Sequence, residues 1–292
     1  MEVTDRKRWI NTILDILKFY IDICEENNLT YFIAYGSAIG AARHHGFIPW
    51  DDDVDVVMPR PDYERFIQIC HQRDMGRFEI VTPQNTPGYY LPFTKLCDRT
   101  TTLLEKRHYH CVFGMYIDIF VIDGMKNDPH EIEATGRMYD KYSRMLDLSN
   151  SYYSLSELLH LYICKKRIRI VFQYLKYALN RKKYSMIAAK EIEKLVRRYD
   201  YEQCEYTVKY PRGYGNREVY PKAWLEGRTM MPFETLQVAL PGDYKRWLNQ
   251  FFGDYTQLPP ENQRHFEHSI LYYNLDKRET LDVVQRKIKE NI

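Results

Sequence analysis

The stretch RHHGFIPWDDDVDV, residues 43–56, decides the fold prediction for this chain of 292 residues. It predicts a strand from Asp53 to Val57, because Val54 and Val56 alternate with polar residues. On such a strand Asp53 and Asp55 point to the same face, about 6.5–7 Å apart. Two like charges at that distance repel each other, whereas a hard cation such as Mg²⁺ binds both carboxylates. The stretch therefore predicts a metal site on a strand.

The residues before this stretch predict a second buried strand and a short helix. YFIAY, residues 31–35, is a short apolar run that ends at Gly36. Ser37 can cap a helix that continues to Ala42. At a junction between a strand and a helix, the backbone N–H groups of Gly36 and Ser37 and the Ser37 hydroxyl can bind a phosphate.

A third predicted strand, YIDIF at residues 116–120, carries one carboxylate between apolar residues. Burying an unpaired carboxylate is expensive, so Asp118 needs a partner. If this strand lies beside the first one, Asp53, Asp55 and Asp118 form a three-carboxylate metal site suited to in-line transfer at phosphorus. The alternative is that the Asp run forms a solvated loop or caps helices.

Transfer at phosphorus also requires cations that neutralise the substrate. Lys95 and Arg99 share a face of a predicted strand around FTKLCDR, residues 93–99, and Arg43 could bind a phosphate bidentately. The alternative is that Lys95 or Arg99 pairs with Asp98 or Glu105. Near the C-terminus, further candidates contact the site only if the tail folds back: Arg264, His265 and His268.

The order of predicted elements indicates a mixed α/β, that is α+β, fold. A helix is predicted from Arg8 to Asn28, and strands alternate with helices to about residue 123. Residues 129–200 have a helical pattern, and turn residues return between 210 and 260. We predict a catalytic core at 1–128, a helical and basic insertion at 129–200, and a return to the catalytic domain at 201–292.

Several stretches resemble the signature of the LicD/fukutin-related family. They are Gly36-Ser37, residues 43–55, YIDIFVIDG at 116–124, and residues 233–255 with LPGDY and FGDY. The resemblance implies a small mixed sheet flanked by helices, as in nucleotidyltransferases. It implies that a CDP-alcohol such as CDP-choline donates its phospho-alcohol to a hydroxyl of a cell-surface glycan, such as lipopolysaccharide or teichoic acid, or to a lipid-linked precursor. CMP leaves, and Asp53, Asp55 and Asp118 hold Mg²⁺, with Mn²⁺ as the alternative.

The spacing departs from the wider nucleotidyltransferase pattern. That pattern has a gap shorter than the 15 residues between Ser37 and Asp53, and Asp51 with Asp53 would fit the shorter gap. We favour Asp53 with Asp55, because Val54 and Val56 supply the alternation of a strand. Asp51 or Asp52 is then the candidate general base.

Two other function classes are compatible with the same residues. A nucleotidyltransferase would move NMP to a sugar phosphate or another small acceptor and release pyrophosphate. A non-catalytic glycan-binding or scaffold protein would bind no nucleotide with Mg²⁺. The alcohol, the acceptor glycan and the oligomeric state are not specified by the sequence.

The charge distribution singles out one segment. The net charge is +2, which argues against a dedicated nucleic-acid binder, but residues 158–190 carry nine Lys or Arg and no Asp or Glu. The remaining chain therefore carries about −7. A basic segment with interleaved apolar residues can lie on an anionic membrane. The alternatives are a packed helix with a solvated basic face and a groove for a negatively charged acceptor.

The sequence predicts a cytoplasmic protein, with peripheral contact at the inner face of the membrane as an option. No apolar run approaches the 18–20 residues that span a bilayer, and the N-terminus lacks the features of a signal peptide. Six scattered cysteines contain no C-x-x-C pair, which is typical of reduced thiols.

Overall fold

The computed structural model describes residues 3–213, 215–264 and 270–290. Its helices are α1 (Val3–Glu26), α2 (Tyr35–Ile39), α3 (Arg60–Gln72), α4 (Pro129–Asn150), α5 (Leu155–Ile163), α6 (Ile168–Ala178), α7 (Arg181–Val196), α8 (Tyr244–Phe252) and α9 (Leu281–Glu290). Its strands are β1 (Phe32–Ile33), β2 (Asp55–Pro59), β3 (Phe78–Val81), β4 (Thr94–Leu104), β5 (Phe113–Met125), β6 (Tyr206–Lys209), β7 (Val219–Pro221), β8 (Arg228–Phe233), β9 (Leu236–Pro241) and β10 (Tyr272–Asn274).

The main sheet contains eight strands, with β1, β2, β5, β4 and β10 in that order. β3 also pairs with β4, while β6 joins β5 to β7. Strands β2 and β5 run parallel, and the remaining pairs of this sheet are antiparallel. A separate hairpin is formed by β8 and β9. The predicted α+β class is confirmed.

The first helix packs one face against the sheet. Trp9, Ile13, Leu17 and Tyr20 recur at three-to-four spacing and are buried. The helix predicted from residue 8 is confirmed, although it begins earlier, at Val3, and ends at Glu26. Burying each of these large side chains contributes about 1.5–3 kcal/mol to folding.

The central part of the chain is helical, as predicted for residues 129–200, and forms its own apolar cluster. Asp128 caps α4 by accepting hydrogen bonds from the backbone N–H groups of His130 and Glu131. Tyr139 of α4 stacks on Tyr210 at a centroid distance of 4.4 Å, which anchors this cluster beside β6. The division of the chain at residues 128 and 200 stays a prediction.

Two local predictions were wrong. Ser37 lies inside α2, whose cap position is Ala34, so its hydroxyl is available for another partner. The strand predicted from Asp53 begins at Asp55, because Asp53 belongs to the preceding loop.

None of the helices in the described part of the chain combines the length and apolar character needed to cross a membrane. All six cysteines are free thiols, and four of them are buried.

Candidate active site

A cavity of about 650 Å³ opens at the end of the sheet where β2 begins. Five carboxylates line it: Asp51, Asp53, Asp55 and Asp118 come from a loop and two strands, and Asp254 follows α8. Six aromatic side chains complete much of the wall: Tyr35, Trp50, Phe93, Phe120, Phe252 and Tyr255. The cavity is large enough for a nucleotide-sized ligand and combines negative charge with apolar surface.

Asp55 and Asp118 are register partners on the parallel strands β2 and β5. The Asp118 N–H donates to the carbonyl oxygen of Val54 at 3.0 Å. The Asp55 N–H donates to the Ser37 hydroxyl at 3.1 Å. The strands therefore bring together two carboxylates that are 63 positions apart in the sequence. Ser37 is buried and fixes the start of β2, whereas Gly36 lies on the cavity wall.

The loop before β2 holds three further carboxylates. Ligand oxygens of Asp51, Asp52 and Asp53 all lie within 4.8 Å of one another. Burial raises the pKa of Asp51 to about 8, and the charge of Asp53 and a hydrogen bond with it add to this shift. Both spacings considered from the sequence, Asp51 with Asp53 and Asp53 with Asp55, therefore converge on one cavity.

Gly36 provides the surface on which Asp51 rests. A Cβ atom on Gly36 would lie 2.6 Å from Oδ2 of Asp51, closer than two such atoms can approach. Glycine at this position therefore lets the carboxylate lie directly against the backbone of α2.

The donor set fits a hard divalent cation. The converging groups are carboxylate oxygens, the ligands that Mg²⁺ and Mn²⁺ prefer. Burial and the charges of Asp53 and Asp52 raise the pKa of Asp51, and a cation would relieve the repulsion between these carboxylates. Among the described residues, Asp51, Asp52 and Asp53 have oxygens close enough together for one cation, while Asp55 and Asp118 are register partners on the wall of the same cavity.

Lys95 lies beneath Asp118 and not among the residues that line the cavity. Its Nζ is 2.7 Å from Oδ1 of Asp118 and 3.6 Å from Oε1 of Glu105, and its side chain is 1% exposed. Burial lowers the pKa of Lys95, but Asp118 and Glu105 outweigh that effect and raise it above its usual value. In this structure Lys95 orients Asp118 instead of facing a diphosphate.

Of the other predicted cations, Arg43 lines the cavity and Arg99 does not. Arg43 lines the cavity, and its Nη1 donates to the carbonyl oxygens of Tyr255 and Gln257, both at 2.8 Å. Arg99 is exposed and lies four residues beyond Lys95 on β4, outside the cavity wall. Arg264 lies over the Trp50 ring at 5.5 Å. His265 and His268 lie outside the described residues.

A buried network that the sequence interpretation missed lies behind the cavity. The Tyr35 hydroxyl donates to Oε2 of Glu218 at 2.9 Å, and Nζ of Lys209 is 3.2 Å from Oε1 of Glu218. The same Nζ lies 4.5 Å from the ring centroids of Tyr35 and Phe120. Burial lowers the pKa of Lys209, against the opposing effect of Glu218. No local motif marks these residues, because their partners are distant in sequence.

Comparisons with known proteins identify a matching family model and similar proteins. The family model "LicD/FKTN/FKRP, nucleotidyltransferase domain" matches residues 28–154, which include Asp51, Asp53, Asp55 and Asp118. The chain is similar to the lipopolysaccharide cholinephosphotransferase LicD of Haemophilus influenzae, with 29% identity over 262 residues, 87% of this chain and 92% of the relative. It is also similar to an uncharacterized protein of Rickettsia prowazekii, with 25% identity over 146 residues, 50% of this chain and 46% of that protein.

Proposed function

We propose that this chain transfers phosphocholine, or a related phospho-alcohol, from a CDP-alcohol to lipopolysaccharide or its lipid-linked precursor, because residues 28–154 match the LicD/FKTN/FKRP family model and most of the chain is similar to a lipopolysaccharide cholinephosphotransferase. The acceptor is a hydroxyl group, and CMP is released. The Haemophilus relative is named a lipopolysaccharide cholinephosphotransferase, and its similarity extends over most of both chains.

The observation that carries this proposal is the convergence of five carboxylates on one cavity of about 650 Å³. Carboxylates concentrated in a cavity repel a phosphorylated substrate unless a metal ion neutralises them. Such a cavity suits phosphoryl transfer, in which positioning and charge stabilisation account for most of the catalysis.

In the proposed mechanism Asp53, Asp55 and Asp118 hold Mg²⁺ or Mn²⁺. When bound, the metal polarises the transferring phosphoryl group and supports the charge of the leaving CMP. Asp51 accepts the proton of the acceptor hydroxyl, because its carboxylate lies on the cavity wall against Gly36. Arg43 adds a positive charge on the same wall for the diphosphate of the donor.

The aromatic wall supports choline as the alcohol. A quaternary ammonium group binds best against the faces of several aromatic rings. The half-buried rings of Trp50, Phe93 and Tyr255 face the same cavity as the carboxylates. We therefore propose CDP-choline as the first donor to test, with CDP-ethanolamine as the comparison that lacks the three methyl groups.

The test incubates the full chain with Mg²⁺, CDP-choline and a lipopolysaccharide acceptor, and measures both CMP release and the mass added to the glycan. We expect transfer of phosphocholine that stops with EDTA and resumes with added Mg²⁺ or Mn²⁺. Asp55→Asn and Asp118→Asn each remove a charged ligand and should lower the rate at least about 100-fold.

Asp140→Asn is the matched control, because Asp140 is exposed on α4 and makes the same chemical change far from the cavity wall. This variant should keep the full rate. Full activity in both Asp55→Asn and Asp118→Asn would overturn the site assignment. Pyrophosphate release from a nucleoside triphosphate, without CMP release from CDP-choline, would instead identify a nucleotidyltransferase.

A further inference from the structure

Helices α5 and α6 expose an unusual amount of apolar surface. Most of the apolar side chains of α5 stay in contact with solvent, and none of its residues is buried. Leu155 is 75% exposed and Ile163 is 63% exposed. A helix of nine residues gains little stability by itself and usually depends on packing. The exposed apolar side chains of α5 are therefore incompletely packed in the described part of the chain.

The exposed side chains of α6 form a regular stripe. Ile168, Phe172, Leu175 and Leu179 follow i, i+4, i+7 and i+11 spacing, which places them on one face of the helix. Phe172 is 64% exposed and Leu179 is 88% exposed. The opposite face is already used, because Tyr174 and Tyr177 are buried in the helical cluster. The exposed stripe is therefore not the packing face of α6.

Positive charge surrounds these apolar side chains. Of the nine basic residues between 158 and 190, eight are exposed: Lys165, Lys166, Arg167, Arg169, Lys176, Lys182, Lys183 and Lys190. The ninth, Arg181, is used within the fold, where it donates to the carbonyl oxygen of Ser149 at 3.1 Å and stacks on Tyr152. The same stretch contains no Asp or Glu.

We propose that the exposed side of α5, α6 and their connection, the α5–α6 surface, docks on a membrane that contains anionic lipids. An apolar stripe flanked by Lys and Arg is the pattern of a helix that lies in the membrane interface, with its apolar side chains among the acyl chains. The basic residues complement the anionic head groups, and each contributes about a fivefold gain in binding. Neither contribution depends on the reaction proposed above.

The charge argues for a membrane over a second copy of this chain. Two copies meeting through the same surface would bring together two sets of eight exposed cations, and like charges across an interface are costly. An anionic bilayer instead offers negative charge and an apolar interior in one layer.

The experiment measures cosedimentation of the full chain with vesicles of neutral phosphatidylcholine alone or with 30% phosphatidylglycerol. We expect binding to the anionic vesicles that is at least about tenfold tighter than to neutral vesicles and weakens with added salt. The variant Lys165→Glu/Lys166→Glu/Arg167→Glu should weaken binding to anionic vesicles at least about 100-fold. Phe172→Ser/Leu179→Ser should weaken binding to anionic vesicles about tenfold or more, and the dependence of binding on salt should stay unchanged.

The matched control is Lys7→Glu/Lys245→Glu/Lys289→Glu, which makes the same change in net charge at exposed lysines outside the segment. It should retain binding within about threefold. Equal loss in the control and in the 165–167 variant would overturn the proposal, since the total charge would then explain the result. Absence of binding to anionic vesicles by the folded chain, checked by circular dichroism, would overturn it as well. Transfer to a soluble acceptor should be unchanged in the 165–167 variant, so failure of docking and failure of the reaction are distinguishable.

Discussion

The cavity and the α5–α6 surface depart from the usual distribution of polar and apolar groups in opposite ways. At the cavity and directly behind its wall, charged groups are turned into the protein, and Lys95 is 1% exposed between Asp118 and Glu105. On the α5–α6 surface, apolar side chains point outward, with Leu179 88% exposed. A soluble protein ordinarily avoids both arrangements.

The difference shows how each region is stabilised. In the cavity each inward charge has partners within the fold, so its removal affects both the chemistry and the stability. On the α5–α6 surface the described residues leave the stripe largely exposed, so its removal should affect binding and leave stability unchanged. Three of the four predictions below test that contrast, and all four are given in order of decreasing expected effect.

Replacing Lys95 by methionine tests how much the buried ion pair between Lys95 and Asp118 contributes to stability. Lys95→Met leaves Asp118 buried without its cation, and we expect a loss of about 3–5 kcal/mol in the free energy of unfolding, measured by urea denaturation. Lys7→Met, at an exposed position, should change it by less than about 0.5 kcal/mol. If both variants were equally stable, the pair Lys95–Asp118 would not stabilise this region.

Replacing Gly36 by alanine tests the contact between the Asp51 carboxylate and the backbone of α2. The added Cβ would lie 2.6 Å from the Asp51 carboxylate, so the carboxylate must move. We expect transfer activity to fall about 10- to 100-fold with little loss of stability, because a side-chain end can shift more easily than backbone. Gly213→Ala adds the same atom where nothing lies within 4 Å, and its rate should match the wild type. A wild-type rate of transfer in Gly36→Ala would show that the position of Asp51 does not matter for the reaction.

A third prediction concerns a buried carboxylate away from the cavity. Opposing the effect of burial, hydrogen bonds from Lys287, Tyr272 and Lys277 lower the pKa of Glu279 to about 2. Because its folded pKa lies below the ordinary value of 4.5, Glu279 stabilises the fold above pH 4.5, and this contribution is lost as the pH falls toward 2.

Urea denaturation between pH 7 and pH 2 checks this expectation. At pH 7 Glu279→Gln should be about 1 kcal/mol less stable than the wild type, and the difference should vanish near pH 2. A difference that stayed constant with pH would show that the charge of Glu279 does not contribute. Glu290→Gln, at the exposed end of α9, is the control and should show no pH-dependent difference.

The smallest expected effect belongs to the outward stripe. Phe172→Ala should change the free energy of unfolding by less than about 0.5 kcal/mol, since the ring is 64% exposed. Phe66→Ala deletes the same ring from the core, where it is fully buried, and should cost about 3–5 kcal/mol. A large loss in Phe172→Ala would mean that the stripe packs within the fold, and the contrast between the two regions would fail.

Much of the architecture could be predicted from local patterns. The first helix, the alternation of strands and helices up to residue 123 and the helical stretch that follows all depend on neighbours two to four residues apart, which the sequence displays directly. The convergence of Asp55 and Asp118 was also expected, because each is a polar residue within an apolar strand and needs a partner. The assignment of roles to these residues stays a prediction.

Contacts between distant residues could not be predicted in the same way. Lys95 had several candidate partners in the sequence, and only the pairing of β4 with β5 places it opposite Asp118. Glu218 lies 183 positions from Tyr35, and no pattern in either segment indicates their hydrogen bond. The hydroxyl of Ser37 was expected at a helix cap, but its partner is the N–H of Asp55, 18 positions away.

The sequence by itself determined which chemical groups are present and which segments are helical, extended or basic, because these properties depend on residue type and short spacing. The tertiary structure alone decided which carboxylates share a cavity, that Lys95 pairs with Asp118, and which apolar stripe stays exposed. Those outcomes depend on strand register and on packing between remote segments. A shift of one residue in register turns a side chain to the opposite face of the sheet, so only the assembled sheet places Asp118 beside Asp55.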